Sequence, residues 1–411
     1  MPTRPRRRGR LGEGIVSPGR NGKPARPGPL SGTTVAGRRS RRYVQSRPHA
    51  PRGRECPVKE NSGGGPTDII WEITYACPLR CTHCYSESGR RPSRHLKGER
   101  LLELTDALIA LRPRNVVLAG GEPLVVNGVL DIARRFTDAG VRTALYTSGW
   151  NVDRAKAEAI LTTFQRVAVS LDGTTPEVHN RIRGRDRSFD RAMNALRFLD
   201  EASRELTAQG VAHGTFGIDC SVMRGNLDQL DEFCTRIAPL LPAMRTLVFG
   251  LTVPGGLASR EEFAEHELLD DEQVARLTSR ERTRHLRSLA PAGLSVMVDD
   301  NMRLLMRPDD IAANGVPPVL QVEPDGDVRA MSSYLGTVAN VLRDAPEVIW
   351  ERVAARCADP FVVEALGGVR TMRDWAAAAR RLDQRFGTPA DRARIAARTA
   401  TDLPARLPAR P

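Results

Sequence analysis

The stretch Tyr75-Ala76-Cys77-Pro78-Leu79-Arg80-Cys81-Thr82-His83-Cys84-Tyr85 follows a short β-rich run and sets three cysteines in the spacing C-x3-C-x2-C. Three thiolates this close can hold three irons of an iron–sulfur cube, whereas an all-cysteine site supplies four. A loop that offers three leaves one iron corner to an outside ligand, which implies chemistry at the cluster beyond electron storage. Zinc completed by His83 or His179 is the alternative reading. Closed zinc sites take four protein ligands, commonly from paired C-x2-C knuckles, and a second knuckle is absent from the chain. Isolated structural cysteines are the third reading.

Outward from the cysteines, β-rich runs alternate with helix-spaced apolar stretches, the pattern of a parallel sheet wrapped by helices. The pattern predicts strands over 69–74, 115–119, 143–147, 166–171, 216–223 and 245–251. It predicts helices over 101–111, 129–139, 153–163, 189–206 and 227–240. Six such units fall short of the eight that close a full barrel. After Pro254 the pattern changes to a helical segment over 261–289, a run over 294–298, a hairpin over 319–331 turning at Asp325-Gly326, and helices over 346–358 and 373–386. The fold class is therefore α/β with a smaller α+β C-terminal part. The domains expected are 1–65 as a basic arm, 66–255 as the core, 256–387 as an accessory domain and 388–411 as a tail that frays.

Further polar segments fall at or just after the predicted strand ends, where ligand crevices lie in parallel sheets. Leu118-Ala119-Gly120-Gly121-Glu122-Pro123 follows the second strand. Its glycines let the backbone approach a ligand closely, and its carbonyls with Glu122 suit a cation. Tyr146-Thr147-Ser148-Gly149-Trp150 ends the third strand and Ser170-Leu171-Asp172-Gly173 the fourth. His179-Asn180-Arg181-Ile182-Arg183-Gly184 comes next, and Met223 ends the fifth strand. Each has a plainer reading: Asp172 or Thr174 as a helix N-cap, Met223 as core, and His83 as packing of the cysteine loop.

Taken with the Gly-Gly-Glu-Pro segment, the cysteine spacing resembles the radical S-adenosylmethionine (SAM) superfamily over roughly residues 66–250. The resemblance implies a six-unit partial barrel and one 4Fe–4S cluster on Cys77, Cys81 and Cys84. It also implies SAM on the open iron, cleaved reductively to a 5′-deoxyadenosyl radical that takes hydrogen from a substrate. By the same resemblance His83 lies beside adenine, and Gly120, Gly121, Glu122 and Pro123 surround the SAM amino group. Ser148, Ser170 and Asp172 reach its ribose and carboxylate, Arg183 pairs with the carboxylate, and Met223 packs on adenine. No residue is assigned a catalytic role beyond the cofactors.

The segments Val322-Glu323-Pro324-Asp325-Gly326-Asp327-Val328 and Leu335-Gly336-Thr337-Val338 resemble the SPASM/Twitch-like accessory domain of the peptide-maturing branch, as in the mycofactocin and pyrroloquinoline-quinone maturases. Such domains bind auxiliary clusters through several cysteines. Here Met331 stands where a cysteine is expected, and only Cys357 lies beyond Cys234. The expectation is a degenerate domain without an auxiliary cluster, which favours redox-neutral chemistry. Cys220, Cys234 and Cys357 are then candidate hydrogen donors or, more simply, small buried hydrophobes. The implied substrate is a ribosomally made peptide, with a small natural product such as a sugar or aminocyclitol as the alternative. The implied partners are an electron donor such as flavodoxin or ferredoxin and a separate leader-peptide-binding protein.

Charge is distributed unevenly along the 411 residues. Residues 1–65 hold 16 Lys+Arg against 3 Asp+Glu, whereas residues 66–411 hold 46 of each sign, so the whole net charge of +13 lies in the first segment. That arm is Arg-, Pro- and Gly-rich with almost no apolar periodicity, a composition that does not repay the entropy of ordering. Disorder is expected there, as a solvated tail or the product of an upstream start codon. A nucleic-acid-binding iron–sulfur or zinc protein is the reading from another class, and the strand-end polar segments argue against it. No apolar run reaches membrane-spanning length, and an apolar signal region follows neither arginine cluster of the arm. Seven cysteines, three of them clustered, suit metal binding in a reducing compartment, the cytoplasm.

Overall fold

The computed structural model describes residues 68–308 and 319–398; the arm 1–65 and residues 399–411 lie outside the described residues. The six predicted strands form at the expected places: β1 (Asp68–Thr74), β2 (Asn115–Gly120), β3 (Arg142–Thr147), β4 (Arg166–Ser170), β5 (Thr215–Val222) and β6 (Thr246–Leu251). All pair in parallel in sequence order. Between them run α1 (Gly98–Ala110), α2 (Val129–Asp138), α3 (Arg154–Thr163), α4 (Pro176–Arg183) and α5 (Ser188–Ala208).

The sheet is wider than six strands. β7 (Ser295–Asp299) adds in parallel to β6, and β8 (Val319–Val322) adds in parallel to the outer edge of β1. β9 (Asp327–Arg329) and β10 (Thr337–Asn340) then continue the sheet antiparallel. The order β10-β9-β8-β1-β2-β3-β4-β5-β6-β7 leaves the sheet open. The α/β class and the unclosed parallel barrel are as expected, and residues beyond 255 supply strands to the same sheet.

Alternation within the strands explains why one face carries chemistry. Ile69, Trp71 and Ile73 of β1, and Phe216, Ile218, Cys220 and Val222 of β5, are fully buried. Trp71 packs edge-on against Phe136 of α2, ring centroids 6.4 Å apart, so this face meets the helices. The intervening positions are Glu72 and Thr74 on β1, Tyr146 on β3, Ser170 on β4, and Asp219 and Ser221 on β5. A parallel sheet apolar on both faces reads as continuous hydrophobic runs; here the alternate polar positions mark a face that encloses something polar.

Three stretches differ from the sequence pattern. The expected helix 227–240 is a chain of short turns: 3-10 at Arg224–Gln229 and Ala238–Leu240, with a π-turn at Phe233–Ile237 between them. Pro239, which has no N–H to donate, sits in its last turn. The segment 261–289 divides into Glu261–His266, Asp271–Leu277 and Arg280–Leu289. Asp270 and Ser279 each accept a backbone N–H as N-caps and so restart the chain as new helices. The described part of the tail expected to fray, up to residue 398, holds the helix Pro389–Ala396, started by a reciprocal Thr388–Asp391 capping box.

Candidate active site

Backbone contacts fix the cysteine loop on three sides. The Arg80 and Thr82 amides donate to the carbonyls of Arg183 and Ile182 at 3.1 and 2.9 Å, so the C-terminal end of α4 holds the middle of the loop. Gly184 ends α4 with φ +62°, and a Cβ there would stand 2.1 Å from the Arg80 carbonyl. Only glycine fits this left-handed, close-packed corner. The Leu257 amide donates to the Cys84 carbonyl at 3.0 Å. The Glu122 amide donates to the Ala76 carbonyl at 2.9 Å, joining the end of β2 to the residue before Cys77.

Cys77, Cys81 and Cys84 line one cavity of about 290 Å³ at the carboxyl ends of the strands. Of the other residues singled out in the sequence, His83, Gly120, Gly121, Ser148, Ser170 and Arg183 line it too. Glu122, Pro123, Asp172 and Met223 stand behind this wall. Glu122 is fully buried: Oε1 accepts from the Thr147 hydroxyl at 2.8 Å and the Leu124 amide at 3.2 Å, and Oε2 from the Ser148 amide and hydroxyl at 2.8 and 2.5 Å. These bonds tie the Gly-Gly turn to the end of β3. Burial pushes the Glu122 carboxyl up, and its four donors act in the opposite sense. Gly120 and Gly121 press on β1, where added Cβ atoms would meet the Thr74 carbonyl at 2.6 Å and the Ala76 carbonyl at 2.2 Å. Pro123, itself buried, begins a 3-10 turn, and Met223 is a core side chain.

Asp172 is the charge behind the cysteines. Its carboxylate lies 2.7 Å from Arg183 Nε and 3.8 Å from His83 Nε2, and its Oδ1 accepts from the Ser221 amide at 3.0 Å. It caps no helix. Burial would raise its pKa, but Arg183 and then the two histidines hold it below the ordinary carboxylate range. The Arg183 Nη1 also reaches Cys81 Sγ at 3.8 Å. His179 Nδ1 accepts from the Asp172 amide at 3.0 Å, which requires the ring to be neutral there; burial and then Arg183 push its pKa down to about 3. Burial likewise pushes His83 down to about 4, and its Nδ1 is buried with no partner among the described residues.

The thiols show what the site can hold. Burial, then the neighbouring Cys81, pushes the Cys77 thiol well up; burial pushes Cys81 to about 11, against the pull of Arg183. Cys77 and Cys81 resist ionising together unless a cation compensates them, and metal binding supplies that charge while releasing their protons. The donor set therefore fits a thiolate-bound cluster, and the open, partly polar cavity beside it leaves room for a second ligand.

The alternation rule also marks residues not singled out in the sequence. Tyr146, Asp219 and Ser221 line the cavity with Asn301, Leu251 and Val253. Tyr146 and Ser148 share one face at the end of β3, and Asp219 and Ser221 share one on β5, so a period of two was the available signal. Burial pushes Asp219 up to about 6, against Arg166, and Tyr146 up to about 12 beside it. Asn301 carried no such signal; its amide donates to the Leu251 carbonyl at 2.5 Å from a separate short helix. None of Cys220, Cys234 and Cys357 lines the cavity; all three are buried elsewhere.

The pattern of the radical SAM superfamily matches residues 71–218. The chain is 33% identical over 174 residues to mycofactocin maturase MftC of Mycolicibacterium smegmatis, covering 42% of each chain. It is 32% identical over 197 residues to an AdoMet-dependent heme synthase of Methanosarcina barkeri, covering 46% of this chain and 52% of that one. The chain thus spans about half the length, or less, of these relatives. Streptococcus suis SuiB bound to its precursor peptide SuiA shares the fold, with a TM-score of 0.54 at 11% identity over 75% of this chain and 68% of that one. Members of the superfamily bind a 4Fe–4S cluster and SAM, the pair of groups that the cysteine loop and its cavity fit.

Proposed function

From the radical SAM domain that residues 71–218 form, we propose that this chain is an enzyme that reductively cleaves SAM and abstracts hydrogen from a ribosomally synthesised peptide. The observation that carries the reading is the convergence of three thiols, the Gly120-Gly121 turn and Arg183 on one cavity. Cys77, Cys81 and Cys84 would hold the cluster, which when loaded and reduced supplies the electron for breaking the SAM sulfonium bond. The cofactor carries the hard chemistry, and the protein supplies position and electrostatics.

The chain's own residues have separate tasks. Arg183, fixed by Asp172, keeps a positive charge beside Cys81 and offers it to a bound carboxylate. His83 and His179 stay neutral above their low pKa values and add no proton to the pocket at neutral pH. Glu122 orients Ser148 and the Gly-Gly turn from behind. Tyr146, Asp219, Ser221 and Asn301 form the far wall, where polar groups of a substrate would be received. Leu79, Leu251 and Val253 give the cavity its apolar part.

The peptide reading is supported by the maturase relatives and by the peptide-bound SuiB fold. A small-molecule substrate is the second reading, and the heme synthase relative favours it. An electron donor, a leader-binding partner and a cytoplasmic setting belong to the proposal. No helix among the described residues is long and apolar enough to cross a membrane. The test is anaerobic incubation of reconstituted protein with SAM, dithionite and either a candidate precursor peptide or a tetrapyrrole. Accelerated 5′-deoxyadenosine formation with a mass change in the peptide is expected. Acceleration by the tetrapyrrole alone would transfer the assignment to the second reading.

A further inference from the structure

The outer surface of the cysteine loop is covered by arginines. Arg80 Nη1 donates to the carbonyls of Cys77 and Leu79 at 3.2 and 2.9 Å, and Arg185 Nη1 donates to the Pro78 carbonyl. The Arg185 guanidinium also stands 4.4 Å from the centroid of Trp150, and the Arg191 guanidinium 5.4 Å from the same ring. Arg187 lies between them in sequence. Arg80, Arg185, Arg187 and Arg191 are all exposed, and no ion pair within 4.0 Å neutralises any of them among the described residues. Asp186 and Asp190, also exposed, lie in the same stretch, which leaves the patch net positive.

The position matters more than the charge. Many of the described arginines are paired with carboxylates, whereas Arg80 and Arg185 are directed at carbonyls of the segment that carries Cys77 and Cys81. The patch is where the surface comes up against the loop that holds the three thiols. We propose that Arg80, Arg185, Arg187 and Arg191, with Trp150 against Arg185 and Arg191, form the docking face for an acidic one-electron carrier protein. The inference rests on reading Cys77, Cys81 and Cys84 as cluster ligands. One electron passes from the reduced carrier, left one electron more oxidised, to the cluster; no bond is made or broken and no proton moves in that step.

Charge complementarity of this kind steers encounter and raises association rates by roughly 10- to 1,000-fold, an effect that falls with salt. A long polyanion fits the patch less well. Asp186 and Asp190 would face its phosphates, whereas a protein surface can place its own positive groups against them.

The test uses reconstituted full-length protein and a reduced bacterial flavodoxin. Cluster reduction is followed by stopped-flow absorbance at low and high sodium chloride, with dithionite as the reductant in a parallel series. Arg187 and Arg191 make none of the loop hydrogen bonds described, so the double variant Arg187→Glu/Arg191→Glu reverses their charge without breaking those bonds, and Arg187→Lys/Arg191→Lys is its charge-keeping control. The expected result is a fall of about tenfold in the flavodoxin rate at low salt for the glutamate variant. The difference should shrink as salt rises, with the dithionite rate unchanged and the lysine variant close to wild type. An unchanged flavodoxin rate overturns the proposal, as does a parallel loss with dithionite, which would place the damage at the cluster. Loss of RNA binding in the same variant with the flavodoxin rate intact would reassign the patch. Failure of the wild type to take up a cluster is read separately, by its iron and sulfide content, and would remove the functional reading itself.

Discussion

The cysteine loop and the hairpin formed by β8 and β9 flank β1, yet they are held in different ways. The loop is held by its backbone: amides of Arg80, Thr82, Glu122 and Leu257 make bonds of 2.9–3.1 Å that fix both its middle and its ends. The hairpin, beyond the β8 ladder to β1, is held by charged side chains. Arg329, almost fully buried, lies 2.7 Å from Glu72 of β1 and 3.4 Å from Glu323. Arg94 meets Glu323 at 2.7 Å, Asp325 at 2.7 Å and Asp327 at 2.9 Å, so a cation already occupies the three-carboxylate group. A backbone-held loop keeps its geometry through changes of side chain or pH, as a cluster site requires. A hairpin held by buried ions depends on every partner being present and charged.

The largest expected effect breaks the hairpin side. Arg329→Met leaves the buried Glu72 without its ion-pair partner, a loss of about 3–5 kcal/mol. Urea unfolding measures it, and adding Glu72→Met should recover much of the loss, because the uncompensated charge then disappears. If the single and double variants lose equal stability, side-chain packing and not charge holds the hairpin.

The next effect sharpens the loop side. Gly184→Ala places a Cβ against the Arg80 carbonyl at a left-handed φ, a cost of about 1–3 kcal/mol from overpacking. Its specific signature is reduced iron uptake out of proportion to the fall in melting temperature. Full iron content at wild-type stability would show that α4 does not fix the loop.

The smallest effect is a pH dependence on the accessory side. Asp383 accepts the Leu335 amide at 2.8 Å, and burial pushes its pKa up to about 6. An unfolded aspartate titrates near 3.9. Between these values the native state binds more protons than the unfolded state, so this group's contribution to stability falls as pH rises from about 4 to about 6. Asp383→Asn should therefore melt higher than wild type at pH 7.5, by a margin that closes towards pH 4. A margin independent of pH would assign the effect to something other than ionisation.

The same contrast explains what was legible in the sequence. The six core strands, the cysteine spacing and the Gly-Gly turn are local patterns, and they appear at the expected residues. The polar wall of Tyr146, Asp219 and Ser221 follows the period of two along β3 and β5, a weaker signal than the cysteine spacing. The rest depends on partners far apart in the chain. Arg329 meets Glu72, and Glu87, just past the cysteine loop, is held by Arg394 at 3.1 Å and Arg398 at 2.8 Å. Those contacts order the Pro389–Ala396 helix, which its own composition did not announce. The broken helices after residue 223 were readable in part: Pro239, Asp270 and Ser279 are stop and start signals that the longer apolar period concealed.

We propose that the three-cysteine loop serves SAM cleavage in the adjoining cavity. Its most direct test is dithionite-dependent formation of 5′-deoxyadenosine from SAM by anaerobically reconstituted protein, beside Cys84→Ala treated identically. Product is expected from the wild type and none from the variant. Equal product from both, or none from a wild type shown to carry its cluster and bind SAM, would contradict it.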